Sequence, residues 1–281
     1  MTASVEQLVL DQRQGGVAIL TLNRPDVLNA INDALMAALL SAIRSLAADE
    51  SVRCVVVTGA GRGFCSGGDM KNRPSPQGGA RPSAEQRAAF LRKAMDAASL
   101  LHSMPKPTIA MINGPCAGAG VGLAGACDIR FAARSATIRS AFVEVGLAGD
   151  YGATWFWTQL LGSAKAREFF LLSKRFTAGE ALDFGLVTRV FDDSDLLTET
   201  LALANNMADN KPWAFRLAKD SLNHALSNDL PAQLDVEAAN SVKAAAEVRR
   251  DWKARQAADA REAGRDEVIA ASAERSAEPP G

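Results

Sequence analysis

Two glycine-rich turns are the parts of this chain best suited to chemistry. Ser66-Gly67-Gly68 follows the β-prone run Val55 to Thr58, and Ala117 to Gly120 follows the apolar run Thr108 to Ile112. If the two strands are neighbours, one backbone N–H from each turn can point at the same oxygen. Such a pair stabilises charge developing on that oxygen, at about 3–4 kcal/mol per donor. The second turn opens a segment containing Gly118, Gly120, Gly122 and Gly125. Glycine costs roughly 1 kcal/mol per helical position relative to alanine, so these four need a reason. One is close approach of a ligand or a second backbone to a helix start, whose free N–H groups and dipole favour negative charge. The other is tight packing of the helix on a sheet. Asp150, in Gly149-Asp150-Tyr151-Gly152-Ala153-Thr154, stands before a Gly-x-Thr turn and could cap the helix that follows.

The elements that must position these residues alternate in type. Val17 to Leu22 reads as a strand ending in the turn Asn23-Arg24-Pro25. Asn32 is the candidate cap of a helix with Leu35, Met36, Leu39, Leu40, Ile43 and Leu46 on one face. Val52 to Thr58 reads as a buried strand, residues 74–82 as a mobile surface loop, and Ser83 as the cap of one long helix to His102. Ala136 to Phe142 is a short extended piece, and Thr154 to Leu161 a helix stopped by Gly162. Thr177 to Glu180 is a capping box whose helix ends at Gly185. This order implies an α/β fold. From Asp195 the chain is helix-forming: Leu196 to Ala208, Pro212 to Leu226, and Leu230 to about Ala263. The expected organisation is an α/β core over 1–200, a helical subdomain over 201–265 and a flexible tail over 266–281.

Bulk properties exclude several classes. The chain has 281 residues, 48% of them hydrophobic, and its 31 basic and 32 acidic residues leave a net charge of −1. Without a basic excess, a nucleic acid or an anionic membrane is disfavoured as partner. No apolar run approaches the ~18 residues of a membrane span. Cys54, Cys65, Cys116 and Cys127 lack metal-type pairing, and with only two histidines, His102 and His224, no metal site is expected. Reduced, buried cysteines suit a cytoplasmic protein.

A chain of motifs carries a family resemblance over roughly residues 5–260. These are Asn23-Arg24-Pro25 with Leu28-Asn29-Ala30, Gly63-Phe64-Cys65-Ser66-Gly67-Gly68-Asp69, Lys106-Pro107 and Asn113-Gly114. After them come Ala117 to Gly120 with Cys127-Asp128, and Gly179-Glu180-Ala181 with Gly185-Leu186-Val187. In this order they resemble the crotonase (enoyl-CoA hydratase/isomerase) family. The resemblance implies a ββα spiral core with an α-helical C-terminal subdomain that covers the CoA site and serves oligomerisation. It also implies a homotrimer or dimer of trimers and acyl-CoA thioesters as substrates, with no cofactor beyond the CoA of the substrate. Gly68 and Ala119 would supply the N–H groups that bind the thioester oxygen. Arg24, Leu28, Ala30, Ser66, Gly67, Asp69 and Met70 would lie along the CoA.

The departures from the family pattern narrow the reaction. Family hydratases resemble one another in two glutamates; the matching positions here are Gly122 and, twenty residues on, Phe142. Neither can hold water or move a proton, and both are expected to wall a space for a bulky, even cyclic acyl group. Glu144 is near but out of register. By the same resemblance the position of Asp150 carries an acid in dienoyl-CoA isomerases, aryl-CoA dehalogenases and ring-1,2-epoxyphenylacetyl-CoA isomerases, the last being most similar to this chain. A lone carboxylate in an apolar pocket should have a raised pKa and can both take and return a proton. Isomerisation of a ring epoxide or double bond is therefore expected. The alternatives are a hydratase with a divergent site, a dehalogenase or hydrolase with Asp150 as nucleophile, and a non-catalytic acyl-CoA-binding subunit. The dehalogenase pattern adds a tryptophan at the Phe142 position and a histidine within the helix before Lys106-Pro107, where this chain has only His102 at the helix end, expected as a capping or surface residue. Trp155 and Trp157 are expected in the core.

Overall fold

Runs of β-branched residues without polar alternation suit strands covered on both faces, and three such runs lie side by side at the centre of the protein. The computed structural model describes residues 8–70 and 82–276. Its strands are β1 (Val9–Gln14), β2 (Val17–Leu22), β3 (Cys54–Gly59), β4 (Thr108–Ile112), β5 (Cys116–Ala117), β6 (Ile129–Ala133), β7 (Thr137–Arg139), β8 (Phe176–Thr177) and β9 (Arg189–Phe191). The main sheet has the order β1-β2-β3-β4-β6-β9, and a small sheet the order β5-β7-β8. β1 is antiparallel to β2, and every later pairing in the main sheet is parallel, with Leu20 opposite Val57 and Val56 opposite Ile109. The α/β expectation holds. β1, β6 and β9 lie outside what the sequence reading foresaw: β1 is largely exposed and polar, and β9 is three residues long.

Helix α1 (Asp33–Ala48) starts where expected, the Asn32 Oδ1 accepting from the Leu35 N–H at 2.9 Å, and it buries its six-residue apolar face. The helix expected from Ser83 to His102 is instead two, α2 (Ala84–Ala94) and α3 (Asp96–Ser103), with Met95 between them. Every residue of α4 (Ala119–Ala126) is buried. In α5 (Ala153–Leu172) Gly162 leaves helical geometry at φ +75°, ψ 161°, but the helix resumes beyond it instead of stopping. α6 (Ala178–Phe184) carries the expected capping box and ends at Gly185, φ +97°.

The chain divides into two units, Met1–Asp220 and Ser221–Gly281. The edge expected near residue 200 falls inside the first unit, because α7 (Leu196–Asp209) packs against β2, β3, β4, β6 and β9. α8 (Pro212–His224) runs across the division. In the second unit α9 (Leu230–Ser276) is pinned to the end of α8: the amides of Gln233 and Asn240 donate to Ser221 O and Oγ at 2.9 and 3.0 Å. The stretch expected to be a flexible tail is helical as far as Ser276, and 277–281 lie outside the described residues. The expected mobile loop, apart from Pro82, lies outside them too. No helix among the described residues is long and apolar enough to cross a membrane.

Two long-range fasteners hold the strand ends that carry the glycine turns. Asn29, fully buried at φ +56°, donates from Nδ2 to Ala60 O (3.0 Å) and Gly63 O (2.8 Å), and its Oδ1 accepts from Arg24 N–H (2.8 Å). Asp128 Oδ2 accepts from Thr108 N–H, Thr108 Oγ1 and Lys219 Nζ at 2.8–2.9 Å, while Lys106 Nζ donates to Leu46 O and Asp49 O. The Lys-Pro and Cys-Asp motifs are thus joints of the scaffold. Replacing Asn29 by Ala strands the buried Gly63 carbonyl and the part-buried Ala60 carbonyl, so Asn29→Ala should lower the unfolding free energy by about 3 kcal/mol. Urea denaturation measures this, and a loss below about 1 kcal/mol would contradict the role given to Asn29.

Candidate active site

The first glycine turn is fixed by a parallel bridge. Ile31 N–H donates to Gly67 O at 2.7 Å, and Asp69 N–H donates to Ile31 O at 2.8 Å. Because the bridge uses the groups on either side of Gly68, the Gly68 N–H itself turns away from Ile31. Ser66 is tied by its N–H to Leu28 O (3.0 Å) and by its hydroxyl to Val27 O (3.2 Å). Arg24 forms a 3.0 Å ion pair with Asp69, both largely buried, and donates to Ala30 O. Arg24, Leu28, Ala30, Ser66, Gly67 and Asp69 therefore come together in one braced pair of loops. Met70, at their edge, is 45% exposed.

The second turn lies against the first. Cys65 bridges Cys116, and Ala117 N–H donates to Cys65 O at 2.8 Å. A Cβ at Gly67 would stand 3.2 Å from Ala117 O and 3.6 Å from Ala119 N, whereas one at Gly68 would meet nothing within 4 Å. The two turns touch, as adjacent β3 and β4 require, and Gly68 borders open space. Among the described residues no protein acceptor takes the Gly68 or Ala119 N–H. Gly118, at φ +53° and ψ −123°, turns the chain into α4 with its N–H on Ser140 O.

The helical glycines have protein, not ligand, as their close neighbours. A Cβ at Gly120 would fall 2.5 Å from Cys65 O, and one at Gly125 would fall 3.1 Å from Phe156 and Trp157 atoms. At Gly122 it would fall 2.6 Å from Tyr151 Cβ and 3.1 Å from Asp150 O. The space expected at Gly122 for a bulky acyl group is therefore filled by Tyr151, which corrects that part of the reading. Phe142 is buried beside Gly118, with a ring carbon 3.9 Å from its Cβ position, and stacks on Phe170 at 6.0 Å.

Asp150 is not the cap of α5. The cap is Gly152 without any side-chain bond, and the Asp150 carbonyl, not its carboxylate, accepts from Ala153 N–H at 2.9 Å. Asp150 is half-buried, with Oδ1 shut off from solvent. Burial raises the Cys65 thiol to about 12, with the Asp150 charge adding to it. Burial, then Asp150, also raises the Tyr151 phenol above its ordinary range. Tyr151, 2% exposed at φ +48°, is the residue the sequence reading passed over; a lone tyrosine between glycines was its only signal.

Other candidates are engaged elsewhere. Glu144 is exposed and ion-paired with Arg139; hydrogen bonding from Ser173, then from Arg139, holds its carboxyl below the usual range. Trp157 is core, its Nε1 donating to Val121 O at 3.0 Å, but Trp155 is 45% exposed and meets His102 edge-on at 5.4 Å. His102 also meets Phe156 at 5.3 Å, so it is part of an aromatic cluster instead of a surface cap.

An α/β scaffold that brings two amide-bearing turns together at the start of a buried, glycine-rich helix is the build of the crotonase fold. Residues 12–262 match the family model for enoyl-CoA hydratase/isomerase. The 1,2-epoxyphenylacetyl-CoA isomerase of Escherichia coli K12 is 37% identical over 82% of this chain and 87% of its own length. An enoyl-CoA hydratase structure from Bacillus anthracis superposes with a TM-score of 0.77 at 29% identity, over 83% of this chain and 89% of that one. A Thermobifida fusca YX structure in complex with CoA, provisionally named an enoyl-CoA hydratase, gives 0.80 at 28% identity, over 89% and 99%. The chain belongs to the enoyl-CoA hydratase/isomerase family, and its fold is crotonase-like with a helical C-terminal region.

Two measurements probe the geometry around α4 and α3. Gly122→Ala must push Tyr151 aside and should destabilise the protein by about 1–3 kcal/mol in urea denaturation. Burial first, and Lys219 second, lower the His102 pKa below 6.5, so its contribution to stability is whole above pH 6.5 and is lost as pH falls through the lower folded value. Melting temperatures between pH 7 and 5 should therefore fall less steeply in His102→Gln than in the parent.

Proposed function

We propose that this protein is an acyl-CoA isomerase acting on a ring epoxide or a double bond of an unsaturated, cyclic or aromatic-derived acyl group. The Gly68 and Ala119 N–H groups bind the thioester oxygen and stabilise the enolate. The Asp150 carboxylate removes a proton from an acyl carbon conjugated with the thioester, and the electron pair moves onto the polarised oxygen. As the pair returns through the conjugated system, Asp150 gives the same proton to a different carbon. For a ring epoxide the returning pair rearranges the ring bonds. Nothing is added or lost, and no resident cofactor is needed, because CoA arrives with the acyl group.

The observation that carries this reading is the seating of Asp150–Tyr151 on Gly122 of α4. The same helix begins with the Ala119 amide, so the backbone that bears the Asp150 carboxylate and the oxyanion donor rest on one rigid support. Hydration needs a water held between two acids, and Glu144 is already committed to Arg139. Braced to one another, Arg24 and Asp69 would serve the CoA by holding the loop of Leu28, Ala30, Ser66, Gly67 and Met70 in shape. The protein would assemble as a homotrimer or a dimer of trimers; Leu171 and Leu172, 66% and 71% exposed at the end of α5, are apolar surface suited to such burial.

A panel of unsaturated and ring-epoxide acyl-CoA thioesters tests the reaction, with products identified by mass spectrometry and NMR. Products should keep the substrate mass, and Asp150→Asn should lower kcat by about 10³-fold while thioester affinity changes little. Crotonyl-CoA hydration at ordinary enzymatic rates, seen as a gain of one water, would sink the assignment of roles.

A further inference from the structure

Tyr151 is the only tyrosine in the chain, and its hydroxyl is out of reach of solvent with no hydrogen-bond partner among the described residues. Buried hydroxyls are almost always satisfied, so an orphan in a native interior calls for a missing acceptor. Packing alone does not explain it, since phenylalanine would fill the same volume without the polar atom. Nor does the local backbone favour it: Tyr151 takes φ +48° between Gly149 at +122° and Gly152 at +70°. That is a costly conformation for an aromatic residue, and it turns the ring inward.

The direction of the ring follows from its neighbours. Its Cβ rests on Gly122, at the middle of α4. The phenol senses charge at Asp150, Cys65 and Asp33. Cys65 leads directly into Ser66-Gly67-Gly68, and Asp33 follows two residues after Ile31, which bridges Gly68. Two of the three groups that act on the hydroxyl thus belong to the loops that carry and bridge Gly68. Burial keeps it protonated, so it serves as a hydrogen-bond donor and not as a base.

We propose that the Tyr151 hydroxyl is a substrate-selecting donor that hydrogen-bonds an oxygen carried on the acyl group, so that the site prefers oxygenated acyl-CoA thioesters to their deoxy counterparts. This deepens the acyl-CoA reading and rests on it. A site built to bond a substrate oxygen discriminates against the analogue lacking it, because the buried donor is then left unpaired.

The probes are 2-hydroxyphenylacetyl-CoA and phenylacetyl-CoA, which differ by one ring oxygen, titrated calorimetrically into the parent and into Tyr151→Phe. The parent should bind the hydroxylated thioester about 10-fold more tightly, and Tyr151→Phe should bring that ratio to within about 3-fold of unity. Without ligand, Tyr151→Phe should melt no lower than the parent, since no internal bond is lost. With 3-fluorotyrosine incorporated, the single 19F resonance should move further with the hydroxylated thioester than with the deoxy one. An unchanged ratio in Tyr151→Phe, or a melting temperature several degrees lower, would overturn the inference by showing a hydroxyl bonded within the protein. If the parent bound neither thioester, the acyl-CoA reading would fall first and this inference with it, and that outcome is visible before any variant is made.

Discussion

The site depends on bare backbone contact between α4 and its surroundings. Gly120 lies on Cys65, Gly122 on Asp150–Tyr151, and Gly125 on Phe156 and Trp157. A side chain at any of these positions would hold the helix off by the width of a methyl group or more. Because interiors are packed to crystal-like density, such a gap would not close quietly. The distance between the Ala119 amide at the start of α4 and the Asp150 carbonyl seated on Gly122 is thereby fixed by the helix itself. Glycine's helical penalty is the cost of that precision.

The second constraint is the coupling of loops that are far apart in sequence. Leu28 to Ile31 and Ser66 to Asp69 exchange backbone bonds, and the Arg24–Asp69 pair closes the assembly at its edge. Gly68 gains its orientation only from this bracing. A free loop with the same sequence would spend its N–H on water or on itself. In the reaction proposed above, a donor held in place would act without reorganising as charge developed. Asn29 serves the same end one layer further out by tying the strand ends together.

Three carboxylates serve the scaffold. Asp128 collects three donors and Asp69 is paired with Arg24. Glu144 is drawn off to Arg139 at the surface. Each of these charges is offset by a structural partner, and the Asp150–Tyr151 backbone rests against Gly122 of α4. Beside it the phenol of Tyr151 occupies the volume opposite Gly122, so the position that bears an acid in hydratases is filled from another element altogether.

Much of this was legible in the sequence. The caps at Asn32, Ser83 and Thr177, the central strands and the two glycine turns follow from local chemistry, since capping, burial on both faces and turn formation act over a few residues. Motif order gave the family for the same reason: loops that must bond one another retain recognisable residues. The edge strands β1 and β9 and the inner strand β6 were not legible, because segments of three to six residues are shaped by their neighbours and not by their own pattern. Nor could the sequence tell that Gly122 faces a tyrosine rather than an acyl group, that Glu144 is spent on Arg139, or that α7 belongs with the sheet. Those facts are set by which surfaces meet through space, and periodicity along a chain carries no record of the partner on the other side.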